Sequence, residues 1–325
     1  MPPLDDPTVR AAYEDPPELP RMSFGDHLDE LRTRLMRSIV AIVVAIVVVM
    51  PFKDAVQAII IEPYRVQWKI GFQDWVHALE QKEAAGKFAG ETPEDPDGKA
   101  YLAFSRERKQ VILNGTYEYM PQLSAKTGYA LPYTLLATNV LEDMFAYMFM
   151  ALIFSLVIAS PIVVWQIWAF IAAGLYPKER RLFYRYFPFM VGLFGAGVAF
   201  GYTIALPYSL GFLIKLMNPT QVNAMISIGQ FLNLMFAMTA AMGLMFQLPL
   251  VMVALQRVGL VTHGAFVKHW RITVLAIFLA AAVFTPPEPV SMMLMATPMV
   301  VLYALGLLLT WMGSRRDVKV VEEAP

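Results

Sequence analysis

Two carboxylates stand out for the residues around them. Glu30 lies in His27-Leu28-Asp29-Glu30-Leu31-Arg32 and Glu179 in Tyr176-Pro177-Lys178-Glu179-Arg180-Arg181, two arginine-bearing segments that adjoin long apolar runs. A carboxylate accepts the flat fork of a guanidinium through two parallel hydrogen bonds, which a lysine ammonium does not reproduce. Two such groups on one surface can select a pair of arginines. Each also has a plainer role open to it. Glu30 can pair with Arg34 one helical turn on, at about 0.3–0.5 kcal/mol, and Glu179 can be a solvated member of a basic turn.

The elements that must carry these residues are apolar. The 325 residues are 57% hydrophobic and 16% charged, and the mean hydropathy is +0.51, outside the range of soluble globular chains. The expected fold class is therefore an all-α integral membrane protein. A net charge of zero argues against nucleic-acid binding, which needs a basic field. With no cysteine, disulfides, thiolate catalysis and cysteine metal sites are excluded. His27, His77, His263 and His269 show no metal-ligand spacing, and no phosphate loop, nucleophile elbow or metalloprotease motif occurs. No cofactor, metal or catalytic centre is expected.

Residues 1–22 are rich in proline and acid, reading as a disordered cytoplasmic leader without the apolar core of a cleavable signal. Ser23, with Asp26 three residues on, starts a helix. Leu28, Leu31 and Leu35 share one stripe, so this stretch is amphipathic and interfacial. Hydropathy then predicts spans over 38–51, 144–170, 187–206, 231–255, 272–284 and 290–311. The fifth falls short of the roughly 20 residues needed to cross upright. Gly192, Gly195, Gly197 and Gly201 permit tight helix contact in the third. Thr285-Pro286-Pro287-Glu288-Pro289 fixes a sharp turn between the last two.

Lysine and arginine placement puts both termini in the cytoplasm. The membrane domain is thus 23–313, with 314–325 a cytoplasmic tail. Residues 65–130 read as a partly helical periplasmic insert, in which Trp68, Phe72, Trp75 and Leu79 have helical spacing.

The run His27-Leu28-Asp29-Glu30-Leu31-Arg32-Thr33-Arg34-Leu35 resembles the N-terminal signature of the TatC family, the membrane receptor of the twin-arginine translocase. The likeness recurs in order at Leu136-Ala137-Thr138-Asn139-Val140, Ser160-Pro161 with Gln166-Ile167-Trp168-Ala169-Phe170-Ile171, Leu175-Tyr176-Pro177-Lys178-Glu179-Arg180-Arg181, Phe246-Gln247-Leu248-Pro249 and Thr285-Pro286-Pro287-Glu288. It covers residues 23–313 apart from the insert. The resemblance implies a concave, cup-like bundle of six helices with short fifth and sixth helices, in a bacterial inner membrane. It implies binding of twin-arginine signal peptides of folded cargo. It also implies recruitment of single-span TatA- and TatB-type subunits, assembly with further copies of the chain, and export driven by the proton gradient.

Carried over residue by residue, Glu30, Glu179, Arg32 and Phe170 match signal-peptide positions, and Pro63 matches a sensitive periplasmic one. Gln247, Thr285, Pro286 and Glu288 match the cavity and partner-helix edge. Gln247 stands where the family often has Glu, and Glu288 where Asp is common. As plainer roles, Gln247 can be a polar residue bonded to a neighbouring helix and Glu288 a solvated turn carboxylate. The competing function is a small-molecule or ion permease. Against it, the sequence has no inverted repeat and almost no ionisable residue within its spans.

Overall fold

Backbone amides buried in hydrocarbon must find partners within their own segment, so long apolar runs fold as helices. The structure, a computed structural model, describes residues 24–85, 133–173, 177–216, 226–286 and 288–322. It does not describe the side chains of Phe24, Asp26, His27, Leu79, Glu83, 177–185, 215–216 and 314–322. The expected leader, the Ser23 cap, most of the 65–130 insert, Pro287 and the end of the tail lie outside the described residues.

The helices in chain order are α1 (Phe24–Val49), α2 (Lys53–Ala84), α3 (Val140–Ala173), α4 (Pro177–Phe200), α5 (Leu206–Leu216), α6 (Ile228–Met245), α7 (Leu248–Arg257), α8 (His263–Lys268), α9 (Trp270–Phe284) and α10 (Pro289–Glu322). A 3-10 turn over Met50–Phe52 joins α1 to α2, and a π-helical turn over Gly201–Ala205 joins α4 to α5. Five stretches are long and apolar enough to cross a membrane: 28–82, 140–173, 186–214, 228–257 and 289–313. Helix α9 is a sixth apolar segment of 15 residues, roughly 22 Å long and short of a hydrocarbon core.

The expectation of a short sixth helix is corrected. Helix α10 runs for 34 residues, because Pro289 starts it in a position that suits proline and nothing after Trp311 breaks it.

Helix α1 packs along α3, its most extensive neighbour, with Ser38, Ala45 and Val49 buried. The two run antiparallel and are tied at both ends. Arg34 Nη1 donates to Gln166 Oε1 at 3.4 Å, and Tyr147 Oη donates to the Met50 carbonyl at 2.5 Å. Between these ties lie roughly 24 Å of α1 and 28 Å of α3 at helical rise.

In α2, Val56, Ile60, Tyr64, Trp68, Phe72 and Val76 recur every fourth residue, and all are buried. Trp68 stacks on Phe72 with ring centroids 4.9 Å apart and meets Tyr133 edge-on at 5.0 Å. Tyr64 meets Phe231 of α6 edge-on at 5.9 Å. The aromatic face legible in the sequence therefore forms part of the main core, with Val76 buried and Trp75 half-buried.

Of the four glycines in the third span, two meet a neighbour. A Cβ on Gly197 would lie 2.5 Å from the Met242 carbonyl oxygen, and one on Gly201 2.8 Å from Thr239 Cα. Glycine at these positions lets α4 and α6 approach backbone to backbone.

Candidate functional site

At the start of α1, Glu30 is held by the arginine one turn on. Arg34 Nε donates to Glu30 Oε1 at 2.7 Å, and Arg34 Nη2 also pairs with Oε1. The same guanidinium reaches Gln166, a buried residue of α3, and the Ser38 hydroxyl donates to the Arg34 carbonyl at 3.0 Å. Arg34 is therefore consumed locally, whereas Glu30 keeps its Oε2 without a partner among the described residues. Arg32 and Asp29 are exposed on the outer flank of the helix.

Phe170, half-buried, follows Gln166 by one turn of α3, so it shares the end of the bundle that carries Glu30. Helix α4 begins four residues after α3 ends, and Glu179 is the third residue of α4. The chain path thus keeps the backbone of Glu179 close to the α3 terminus; its side chain lies outside the described residues. Pro63 is buried in the middle of α2.

Gln247 occupies the break between α6 and α7, where Pro249 cannot continue the hydrogen-bond ladder. Its Nε2 donates to the Met190 carbonyl of α4 at 2.9 Å, and its Oε1 accepts from Trp168 Nε1 of α3 at 3.4 Å. One amide thereby links three parts of the bundle. It also lines an apolar cavity of about 430 Å³ whose walls include Ile153, Val157, Phe194, Val198 and Phe236.

Thr285 caps α9, its hydroxyl donating to the Ala281 carbonyl at 2.9 Å. The turn closes with the Glu288 amide donating to the Pro286 carbonyl at 2.6 Å. The Ser291 hydroxyl donates to Glu288 Oε1, whereas Glu288 Oε2 is buried without a partner. Burial raises the Glu288 pKa above the ordinary carboxylate range, against the lowering effect of bonds at Ser291 and Val290.

One polar cluster escaped the sequence reading. Glu142 accepts from the Thr138 amide and hydroxyl, both at 2.5 Å. It also accepts from the Ser227 hydroxyl at 2.6 Å and the Gly229 amide at 3.2 Å. It clamps the start of α3 to the start of α6 beside a short parallel bridge between Leu136 and Ser227. Asn139 Oδ1 accepts from the Glu142 amide at 2.8 Å, so the pattern Asn139-x-x-Glu142 was a readable capping signal; its partners across the bundle were not. Among the described residues no group of histidines and acids is arranged to hold a metal ion.

The helices and their arrangement define a polytopic α-helical membrane protein. The family model for the Sec-independent protein translocase protein TatC matches residues 26–298, and the chain belongs to that family. It is 31% identical to TatC of Deinococcus radiodurans over 95% of this chain and 92% of the relative. It is 32% identical to TatCy of Bacillus subtilis over 60% of this chain and 76% of the relative. A crystal structure of the twin-arginine translocase receptor TatC in DDM superposes with a TM-score of 0.60 at 23% identity, covering 87% of this chain and 99% of that one. A second crystal structure of that receptor gives 0.57 at 22% identity, over 89% and 99%. These likenesses establish the fold and the family, a protein-transport component.

Proposed function

We propose that this chain is the receptor and core subunit of a twin-arginine translocase, with six spans and both termini in the cytoplasm. Glu30 and Glu179 take the two arginines of a signal peptide, and Phe170 borders the site. Arg32, which cannot bind an arginine, orders the surrounding charge. The carrying observation is the state of Glu30: its Oε1 is engaged by Arg34 and no donor meets Oε2 among the described residues. A hydrogen bond to a charged group at a wet rim contributes about 1.5–3 kcal/mol, suited to a receptor that must release its cargo.

The apolar cavity beside Gln247 and the edge formed by Thr285, Pro286 and Glu288 receive single-span TatA- and TatB-type subunits. Cargo crosses folded, at the expense of the proton gradient. The experiment is complementation. Expressed with its partner subunits in a bacterium lacking its own receptor, the chain restores export of a folded twin-arginine cargo, and an uncoupler abolishes that export. Solute flux through the purified chain without cargo export would favour the permease instead.

A further inference from the structure

The inner end of α1 carries three arginines with different surroundings. Arg34 turns into the bundle and is matched by Glu30 and Gln166. Arg32 and Arg37 are exposed, and neither has an ion-pair partner among the described residues. They border an open groove of about 580 Å³, lined among the described residues by Arg32, Thr33, Met36, Arg37, Val40 and Ala41, with Asp29 at its outer end. The groove changes character along its length. Its mouth is cationic, while Met36 and Val40 are 54% and 55% exposed, and Val44, one turn further, is 57% exposed. A cationic mouth above an exposed apolar face, where an interfacial helix becomes a span, matches the two halves of a phospholipid.

We propose that Arg37, with Arg32, binds the phosphate of an anionic phospholipid, whose acyl chain lies along Met36, Val40 and Val44. Arg37 directly precedes the apolar run that begins at Ser38, so its fork meets the headgroup layer with no acceptor from the described residues to take it. Asp29 narrows the choice. A carboxylate beside the phosphate site disfavours a multiply charged headgroup and accepts a hydrogen bond from a hydroxylated one, so phosphatidylglycerol is the fitting class. The inference shares with the proposed function only the reading that α1 enters the bilayer here. It requires neither signal-peptide binding nor export.

The test is native mass spectrometry of the full-length chain in detergent, titrated with phosphatidylglycerol or with phosphatidylcholine. The wild-type chain should retain phosphatidylglycerol about tenfold better, the scale of one or two charge-assisted bonds. Arg37→Gln should reduce that preference to near parity, and Arg37→Lys should retain part of it. Arg271→Gln, which removes an arginine near the Trp270 ring elsewhere on the molecule, should leave it unchanged. Arg32→Gln provides a second lesion should Arg37→Gln fail to fold. Equal retention of both lipids by the wild-type chain would overturn the proposal. So would full preference in folded Arg37→Gln or, failing that variant, in Arg32→Gln, or an equal loss in Arg271→Gln.

Discussion

Arg34 and Glu30 form a pre-occupied pair: both nitrogens that reach the carboxylate use Oε1, and the third nitrogen donates to Gln166. The pair leaves one carboxylate oxygen for an incoming guanidinium and fixes where that oxygen sits, so a two-bond fork at Glu30 requires Arg34 to give up Oε1. An ion pair one turn apart on a helix contributes about 0.3–0.5 kcal/mol, and this one is only partly buried. Arg34→Ala should therefore change signal-peptide affinity by less than about threefold, whereas Glu30→Ala should lower it at least about tenfold. Binding isotherms of a labelled signal peptide decide this. A larger effect from Arg34→Ala would make Arg34 a direct contributor rather than a brace.

Gln247 offers a stability test. Leucine at this position is close in volume but removes both the donor to the Met190 carbonyl and the acceptor for Trp168 Nε1. Gln247→Leu should lose about 1–3 kcal/mol of stability, read as a lowered Tm in detergent. Wild-type Tm in this variant would show that the bonds to Met190 and Trp168 contribute nothing.

For Glu142 the readout is local. Glu142→Ala removes the acceptor of Ser227 and Gly229 together. Hydrogen exchange at the first turn of α6 should then quicken, while exchange in α9 stays as in wild type. Glu142→Gln keeps an acceptor oxygen and should fall between the two.

Glu288 gives a pH signature. Its pKa is raised in the folded chain, mainly by burial, so the folded state holds this proton more tightly than the unfolded one. The associated stabilisation is full below the ordinary carboxylate pKa and is lost as pH rises through the raised value. Glu288→Gln, permanently neutral, should be more stable than wild type at neutral pH and equal to it in acid. Parallel melting curves across pH would show that Glu288 does not titrate in this way.

Legibility in the sequence followed the range of each interaction. Hydropathy located the long apolar spans, because lipid burial is a property of a segment alone, but not α5 (Leu206–Leu216), which lies past the expected end of the third span. The Glu30–Arg34 pair was readable at one-turn spacing, but Gln166, 132 positions away, belongs to a contact that only packing creates. The α2 stripe showed its aromatics, yet the buried line continues through Val76 rather than Trp75, since the period at that surface is four. The length of α10 was hidden because hydropathy marks where a helix leaves lipid and not where it stops. Around Glu142 only the spacing from Asn139 is a local capping pattern, and the bonds to Ser227 and Gly229 appear when α6 is brought alongside α3.

Crosslinking is the most direct test of arginine selection. A photoreactive signal peptide bearing Arg-Arg or Lys-Lys is presented to the purified chain with its partner subunits, alongside Glu30→Ala and Glu179→Ala. Arg-Arg should label preferentially, and that preference should be lost in either variant. Equal labelling by both peptides, or a preference that survives both substitutions, would contradict arginine selection.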